Sequence, residues 1–299
     1  MKPTRHVTAA VLLLTGFAAV GCKKSGETVE AKARPAVSAA AKPVATAGEK
    51  RTDGAGSLPT ATPKITNPVS FGDGQAAYQA RKYSDATAIF DRYTTVRPAN
   101  AWGHYMLGLS AWKSGDLTKS EGAFEKALSV DPKHVKSLVN LSRVLIEQKR
   151  LDEAVERLTR AAEIDPESTE VYRLLGRTYY TQAKTDEAVS AYRHAIELNE
   201  LDAWSMNNLG LLFLETERAD EALPLLTRAT ELRPEVPVFQ NNLGMALEHT
   251  GRFKAAAAAY KAALAADPGY DKAKRNLDRV EAVQGDPEEI KNPRDGNGK

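Results

Sequence analysis

This chain of 299 residues has a single cysteine, Cys22, which excludes an internal disulfide and an intramolecular thiol switch. It has almost no net charge, with 41 Lys and Arg against 39 Asp and Glu, a formal +2. Without a strong field of one sign, it lacks the electrostatic footprint of a nucleic-acid binder. Its five histidines, His6, His104, His134, His194 and His249, are scattered, and no pair has metal-ligand spacing. Gly72-Asp73-Gly74 is not followed by the rest of a phosphate loop. No nucleophile, base or cofactor motif emerges, so the expectation is a protein that is not an enzyme and carries no cofactor. The apolar run from about Val7 to Val20 is too short to span a bilayer, which takes roughly 20 residues. Between Ala18 and Ser70 there is no aromatic residue.

What the chain does have is a 34-residue echo. Pro98, Pro132, Pro166, Pro234 and Pro268 share one grid, broken by Glu200. A small residue keeps the same period at Gly74, Gly108, Ser142, Gly176, Gly210 and Gly244. So does a second small set, Ala86, Ser120, Ala154, Ala188, Ala222 and Ala256. Four places on comes a bulky residue: Phe90, Phe124, Leu158, Tyr192, Leu226 or Tyr260. Such self-similarity marks stacked supersecondary units rather than one conventional core.

Within one period, Met206, Leu209, Leu212 and Phe213 recur at three- and four-residue steps, as one face of a helix does. Glu217-Arg218-Ala219-Asp220 reads as a turn, and a second helix through Ala222, Leu225, Leu226 and Ala229 stops at Pro234. Gly210 and Ala222 are expected to meet where the helices cross, with the bulky residue filling the hole left by the next hairpin.

These residues resemble the tetratricopeptide repeat. One unit carries Tyr172, Leu175-Gly176, Tyr179, Ala188, Tyr192 and Ala195, and another Leu243-Gly244, Leu247, Ala256, Tyr260, Ala263 and Pro268. The resemblance implies an all-α, right-handed superhelical solenoid of about six helix-turn-helix repeats, at 67–100, 101–134, 135–168, 169–202, 203–236 and 237–270. A C-terminal capping helix at 271–284 and a disordered tail at 285–299 complete it. The first unit departs most from the pattern, with Asp73 in place of Leu and Tyr93 in place of Ala.

At the N-terminus, Lys2, Arg5 and His6 precede the apolar run, which ends at Gly21-Cys22, the layout of a secretory signal over 1–21. Ala19-Val20-Gly21-Cys22 resembles the lipobox of bacterial lipoproteins, with Ala19 where leucine is commoner. The resemblance implies lipidation at Cys22, anchoring by more than one acyl chain, and, with Lys23 rather than Asp next, the outer membrane facing the periplasm. An ordinary signal peptide with a chance cysteine, or an uncleaved anchor, is the alternative. Residues 22–66, rich in Ala, Pro and Lys, cannot bury enough apolar area to order themselves. They read as a disordered tether with a reach of roughly 35–40 Å.

In the tetratricopeptide family the first helix of each hairpin lines a concave groove. Its inward rows here are Tyr105, Val139, Arg173, Asn207 and Asn241, then Leu109, Arg143, Arg177, Leu211 and Met245, then Met106, Asn140, Leu174, Asn208 and Asn242, then Trp112, Ile146, Tyr180, Leu214 and Glu248. Asn140, Asn208 and Asn242 could form a ladder on a peptide backbone, because an amide donates and accepts at once, or could simply be tolerated at an exposed site. Arg143, Arg173 and Arg177, with Asn208 beside them, could hold a carboxylate, or could pair with local acids. Trp102, Trp112, Trp204, Tyr105 and Tyr180 could anchor a partner or seal the joints between hairpins.

The partner expected is a protein: an extended peptide, or a subunit of an envelope complex. The membrane is reached through the lipid, and no nucleic acid is involved. The architecture is similar to that of the pilotin lipoproteins of type IV pilus secretins. An adaptor for envelope or peptidoglycan assembly, or a recognition subunit of a separate enzyme, are the alternatives.

Overall fold

The computed structural model describes residues 69–284. The signal, Cys22, the tether and the tail therefore lie outside the described residues. Within them are thirteen helices and no strand. In chain order they are α1 (Phe71–Gln79), α2 (Tyr83–Val96), α3 (Ala101–Ser114), α4 (Leu117–Val130), α5 (Val135–Glu147), α6 (Leu151–Ile164), α7 (Thr169–Thr181), α8 (Thr185–Leu198), α9 (Ala203–Glu215), α10 (Ala219–Leu232), α11 (Pro237–His249), α12 (Phe253–Ala266) and α13 (Asp271–Gln284). Each odd helix pairs with the even helix after it, giving six hairpins of a superhelical solenoid, and α13 packs on α12 and α11. Odd helices also approach one another, α1 to α3 to α5 and α7 to α9 to α11 to α13, whereas the even helices are splayed apart. The odd helices therefore form the inner wall of the curve and the even helices its outer side.

Two kinds of turn set the period. Inside each hairpin one residue has positive φ, at Arg81, Gly115, Lys149, Ala183, Glu217 and Gly251, spaced 34 apart. Only two of these are glycine, so four hairpins accept a left-handed residue that costs about 1 kcal/mol. The turn at Glu217 is shorter than its sequence implies, since Ala219 and Asp220 already belong to α10. Between hairpins, Asp131 Oδ1 accepts from the Lys133 amide and Asp267 Oδ1 from the Gly269 amide, each at 3.0 Å. Where Glu200 replaces the proline, Asn199 Oδ1 accepts from the Leu201 amide at 3.0 Å and closes the same turn. Arg97 and Arg233 hold the equivalent position before Pro98 and Pro234, so the element common to all six joints is a backbone bond, donated by the amides of Asn100, His134, Ser168, Asp202, Val236 and Tyr270 to the carbonyl three residues back.

The small-residue rows have a tighter purpose than expected. A Cβ on Gly244 would lie 2.4 Å from Tyr260, and one on Gly108 or Gly176 would lie 2.6 Å from Phe124 or Tyr192. The bulky residue thus fills the space above the glycine of its own hairpin and also packs with the next one, as Phe124 does with Leu141 and Leu145. Glycine inside a helix costs about 1 kcal/mol against alanine, and here it leaves room for a side chain that an alanine Cβ would overpack. The second small row does meet the first: Ser120 Oγ donates to Gly108 O at 2.8 Å. Core clusters bridge successive hairpins, as where Tyr192, Leu209, Phe213, Leu226 and Ala246 pack together. In the first hairpin Asp73 has a different role. Its carboxylate accepts from the Ser70 amide while Ser70 Oγ accepts from the Asp73 amide, a capping box that starts the short α1.

Candidate functional site

The inner wall divides into two halves. Helices α3, α5 and α7 carry five cations, Lys113, Lys136, Arg143, Arg173 and Arg177, against two carboxylates, Glu147 and Glu170. Helices α9 and α11 carry no Lys or Arg at all, only Glu215, Glu248 and His249.

In the first half, several charges are already paired. Arg143 Nη2 meets Glu170 Oε1. Arg173 Nη1 donates to Asp202 Oδ1 at 2.8 Å, and Asp202, almost fully buried, also accepts from Ser205 Oγ at 2.5 Å. Glu147 Oε1 accepts from Trp112 Nε1 at 2.9 Å. Three cations have no carboxylate partner among the described residues. Lys136 sits over the Trp102 ring at 5.2 Å and Lys113 over the Trp112 ring at 4.8 Å. The half-buried Arg177 guanidinium makes no hydrogen bond or ion pair. Its charge faces the Tyr192 hydroxyl, where it partly offsets the burial that pushes that phenol up. Trp102 is 48% exposed, with His134 and Tyr105 edge-on to its ring at 4.9 and 5.3 Å.

In the second half, polar groups are spent on one another. Asn276 Nδ2 donates to Asn241 Oδ1 at 2.9 Å, and Asn241 Nδ2 to Asn242 Oδ1 at 3.3 Å. Asn242 Nδ2 donates to Asn207 Oδ1 at 2.9 Å, and Asn207 Nδ2 to Asn208 Oδ1 at 3.3 Å. Asn207, Asn241 and Asn242 are all under 5% exposed. Glu215 accepts from the Tyr180 hydroxyl at 2.7 Å. Glu248 accepts from Arg279 Nη2 at 2.7 Å and from the Tyr260 hydroxyl at 2.8 Å. Burial pushes the Tyr180 and Tyr260 phenols well up, reinforced by these carboxylates. The Arg279 and Tyr260 bonds outweigh desolvation at Glu248 and hold its carboxyl below the usual range.

The structure therefore sorts the sequence candidates. Tyr105, Val139, Asn207 and Asn241 are buried rather than open to the groove. Asn140 is half-buried and donates to Lys136 O at 2.8 Å. The amides do form a chain, but it runs diagonally: Asn242 reaches Asn207 rather than Asn208. Trp204 packs at 4.9 Å from Phe239, at the joint between two hairpins. Asp202, Glu147, Glu215 and Asn276 were not singled out from the sequence. Their signal is an offset of 29 or 35 residues, which a search at 34 passes over. Among the described residues no cluster of His, Cys, Asp or Glu could hold a metal, and no helix is long and apolar enough to cross a membrane. A hollow of about 490 Å³ lies on the outer side between α8 and α10, lined in part by Arg193, Ile196, Phe213, Pro224 and Leu225.

Comparison with known proteins places the repeat. Models described as tetratricopeptide repeat match residues 111–178, 145–206 and 207–271, together more than half of the chain. The chain belongs to the tetratricopeptide repeat family. No curated protein matches it. Among solved structures, MamA is 25% identical with a TM-score of 0.50, over 56% of this chain and 97% of that one. The pilF protein of Pseudomonas aeruginosa is 18% identical with a TM-score of 0.61, over 71% of this chain and 95% of that one. YrrB, described as a TPR protein with an unusual peptide-binding site, is 19% identical with a TM-score of 0.50, over 62% and 96%. At 18 and 19% identity, the last two show the fold alone. Proteins of this family serve as scaffolds for protein or peptide partners.

Proposed function

We propose that this protein holds a partner polypeptide against the inner wall formed by its odd-numbered helices, and that it does so at the bacterial envelope. One observation carries the first part. The inner wall presents Lys113, Lys136 and Arg177, without carboxylate partners among the described residues, beside the half-exposed Trp102. A peptide-binding site is described for YrrB, which shares the fold. The second part rests on the sequence alone, on a lipid at Cys22 and a tether over 22–66 that raises the local concentration of whatever the repeats hold. Within that setting, the specific role is assembly of the secretin of a type IV pilus at the outer membrane.

Photocrosslinking in cells tests the binding. A crosslinking residue at Lys136 on the inner wall is expected to trap one partner, and the same residue at Arg160 on α6 to trap none. Equal capture at both would refute inner-wall binding. For the anchor, Cys22→Ser is expected to abolish labelling by radioactive palmitate and to release the protein from membranes. For the specific role, deleting the gene is expected to leave the secretin monomeric on gels, and unchanged secretin multimers would remove the pilus reading.

A further inference from the structure

We infer that the groove has one receptive half, α3, α5 and α7, and that its occupant is an acidic, extended polypeptide segment. This rests on the groove-binding reading above and names the chemistry of the partner.

Charge is sorted by side. The inner helices α3, α5 and α7 hold five Lys and Arg against two Glu, whereas the outer helices of the same hairpins, α4, α6 and α8, hold five against nine Asp and Glu. Within these three hairpins charge is separated, positive within and negative without. An acidic segment is drawn to the inner wall and repelled from the outer side.

The pairing pattern sharpens the point. Glu170 is paired with Arg143, while Glu147 accepts from the neutral Trp112 indole and keeps its charge. Against that one carboxylate stand three cations without a carboxylate partner among the described residues, Lys113, Lys136 and Arg177, one on each of three successive inner helices. The three stand at different heights on the wall: Lys113 is next to last in α3, Lys136 second in α5 and Arg177 past the middle of α7. With about 1.5 Å of rise per residue and about 10 Å between neighbouring inner helices, the path from Lys113 through Lys136 to Arg177 is about 34 Å. An extended chain covers that in about ten residues at roughly 3.3 Å each. The fitting ligand carries its acids about six and about four positions apart, with apolar residues between them to meet Trp102. Beyond α7 the wall cannot continue the contact. Its helices α9 and α11 offer no cation, their amides are bonded to one another, and Glu215 and Glu248 are already held.

The test titrates the full chain into a fluorescein-labelled peptide, Glu-Ala-Leu-Ala-Leu-Ala-Glu-Ala-Leu-Ala-Glu, read by anisotropy, beside versions with Gln or Lys for each Glu. The acidic peptide is expected to bind at least tenfold tighter than either, and to weaken as salt is raised. Arg177→Gln and Lys136→Gln are each expected to cost about five- to tenfold. Arg160→Gln on the outer side is expected to change nothing, with helical circular dichroism retained throughout. No binding of the acidic peptide, equal binding of the Gln or Lys peptides, or indifference to Arg177→Gln and Lys136→Gln would overturn the inference. If binding lacks charge preference yet falls with Trp102→Ala, the groove reading survives and the acidic partner does not. If every probe ignores inner-wall changes but is lost with Arg193→Glu at the outer hollow, both fall.

Discussion

Hairpins two to four and the stretch from α9 to α13 share one architecture and use their inner walls in opposite ways. The same close contact of a glycine with a bulky side chain recurs in both, at Gly108 and Gly176 on Phe124 and Tyr192 in the first and at Gly210 and Gly244 on Leu226 and Tyr260 in the second. Yet the first half leaves Lys113, Lys136 and Arg177 without acids, while the second links Asn276, Asn241, Asn242, Asn207 and Asn208 amide to amide. The contrast teaches that a repeat specifies its hairpin through the helix-crossing residues and is free to spend its inner row either on a ligand or on its neighbour. Buried amides need partners, so the second half gains cohesion between repeats. Its inner wall is correspondingly less available.

Breaking the amide chain should show the largest difference between halves. Asn242→Ala removes one partner each from Asn241 and Asn207, both buried, and is expected to cost about 2–4 kcal/mol in urea unfolding. Arg177→Ala, which breaks no hydrogen bond or ion pair in the structure, should cost under about 0.5 kcal/mol. Similar costs for the two would erase the distinction. A double-mutant cycle on Asn207 and Asn242 should give a coupling of about 1 kcal/mol, and additivity would mean the two amides act separately.

The hairpin crossings should not distinguish the halves. Gly108→Ala and Gly244→Ala each force a Cβ into a ring and should each lose about 1–3 kcal/mol. A large gap between them would mean the hairpins are not equivalent units. Smaller still, Ala183→Gly and Glu217→Gly relieve left-handed turns at φ 59° and should gain about 0.5–1 kcal/mol in thermal unfolding. A loss would place the turn strain elsewhere.

The smallest effect concerns His134, present only in the first half. It is buried edge-on against Trp102 and Tyr105, with Nδ1 at 2.7 Å from Ser137 Oγ, and desolvation lowers its pKa. The folded state thus binds the proton less readily than the unfolded chain. Stability from this group is full above the unfolded value of about 6.5 and falls as pH drops through it, levelling once the folded form is protonated. His134→Gln should flatten that part of the melting-temperature curve, and an unchanged curve would assign the slope to carboxylates such as Glu248, whose pKa is also depressed.

Much of the fold was legible because its determinants repeat at one spacing: the glycines, the rings above them and the helix-ending turns. The break at Glu200 looked like a defect, yet Asn199 supplies the turn's hydrogen bond. Four of the six left-handed turns were invisible, since Arg81, Lys149, Ala183 and Glu217 carry no glycine signature. The inner wall was legible as rows but not as pairs. A row compares equivalent positions, whereas the contacts join unlike ones, Arg173 with Asp202, Tyr180 with Glu215 and Asn207 with Asn242. Hence the residues that decide which inner cations remain unpaired could not be read from the repeat itself.

Amide hydrogen exchange on the full chain, with and without the acidic peptide, tests the division of the inner wall most directly. Added protection confined to α3, α5 and α7, with α9 and α11 unchanged and already slow, is the predicted outcome. Protection centred on α9 and α11, or on the outer helices, would contradict it.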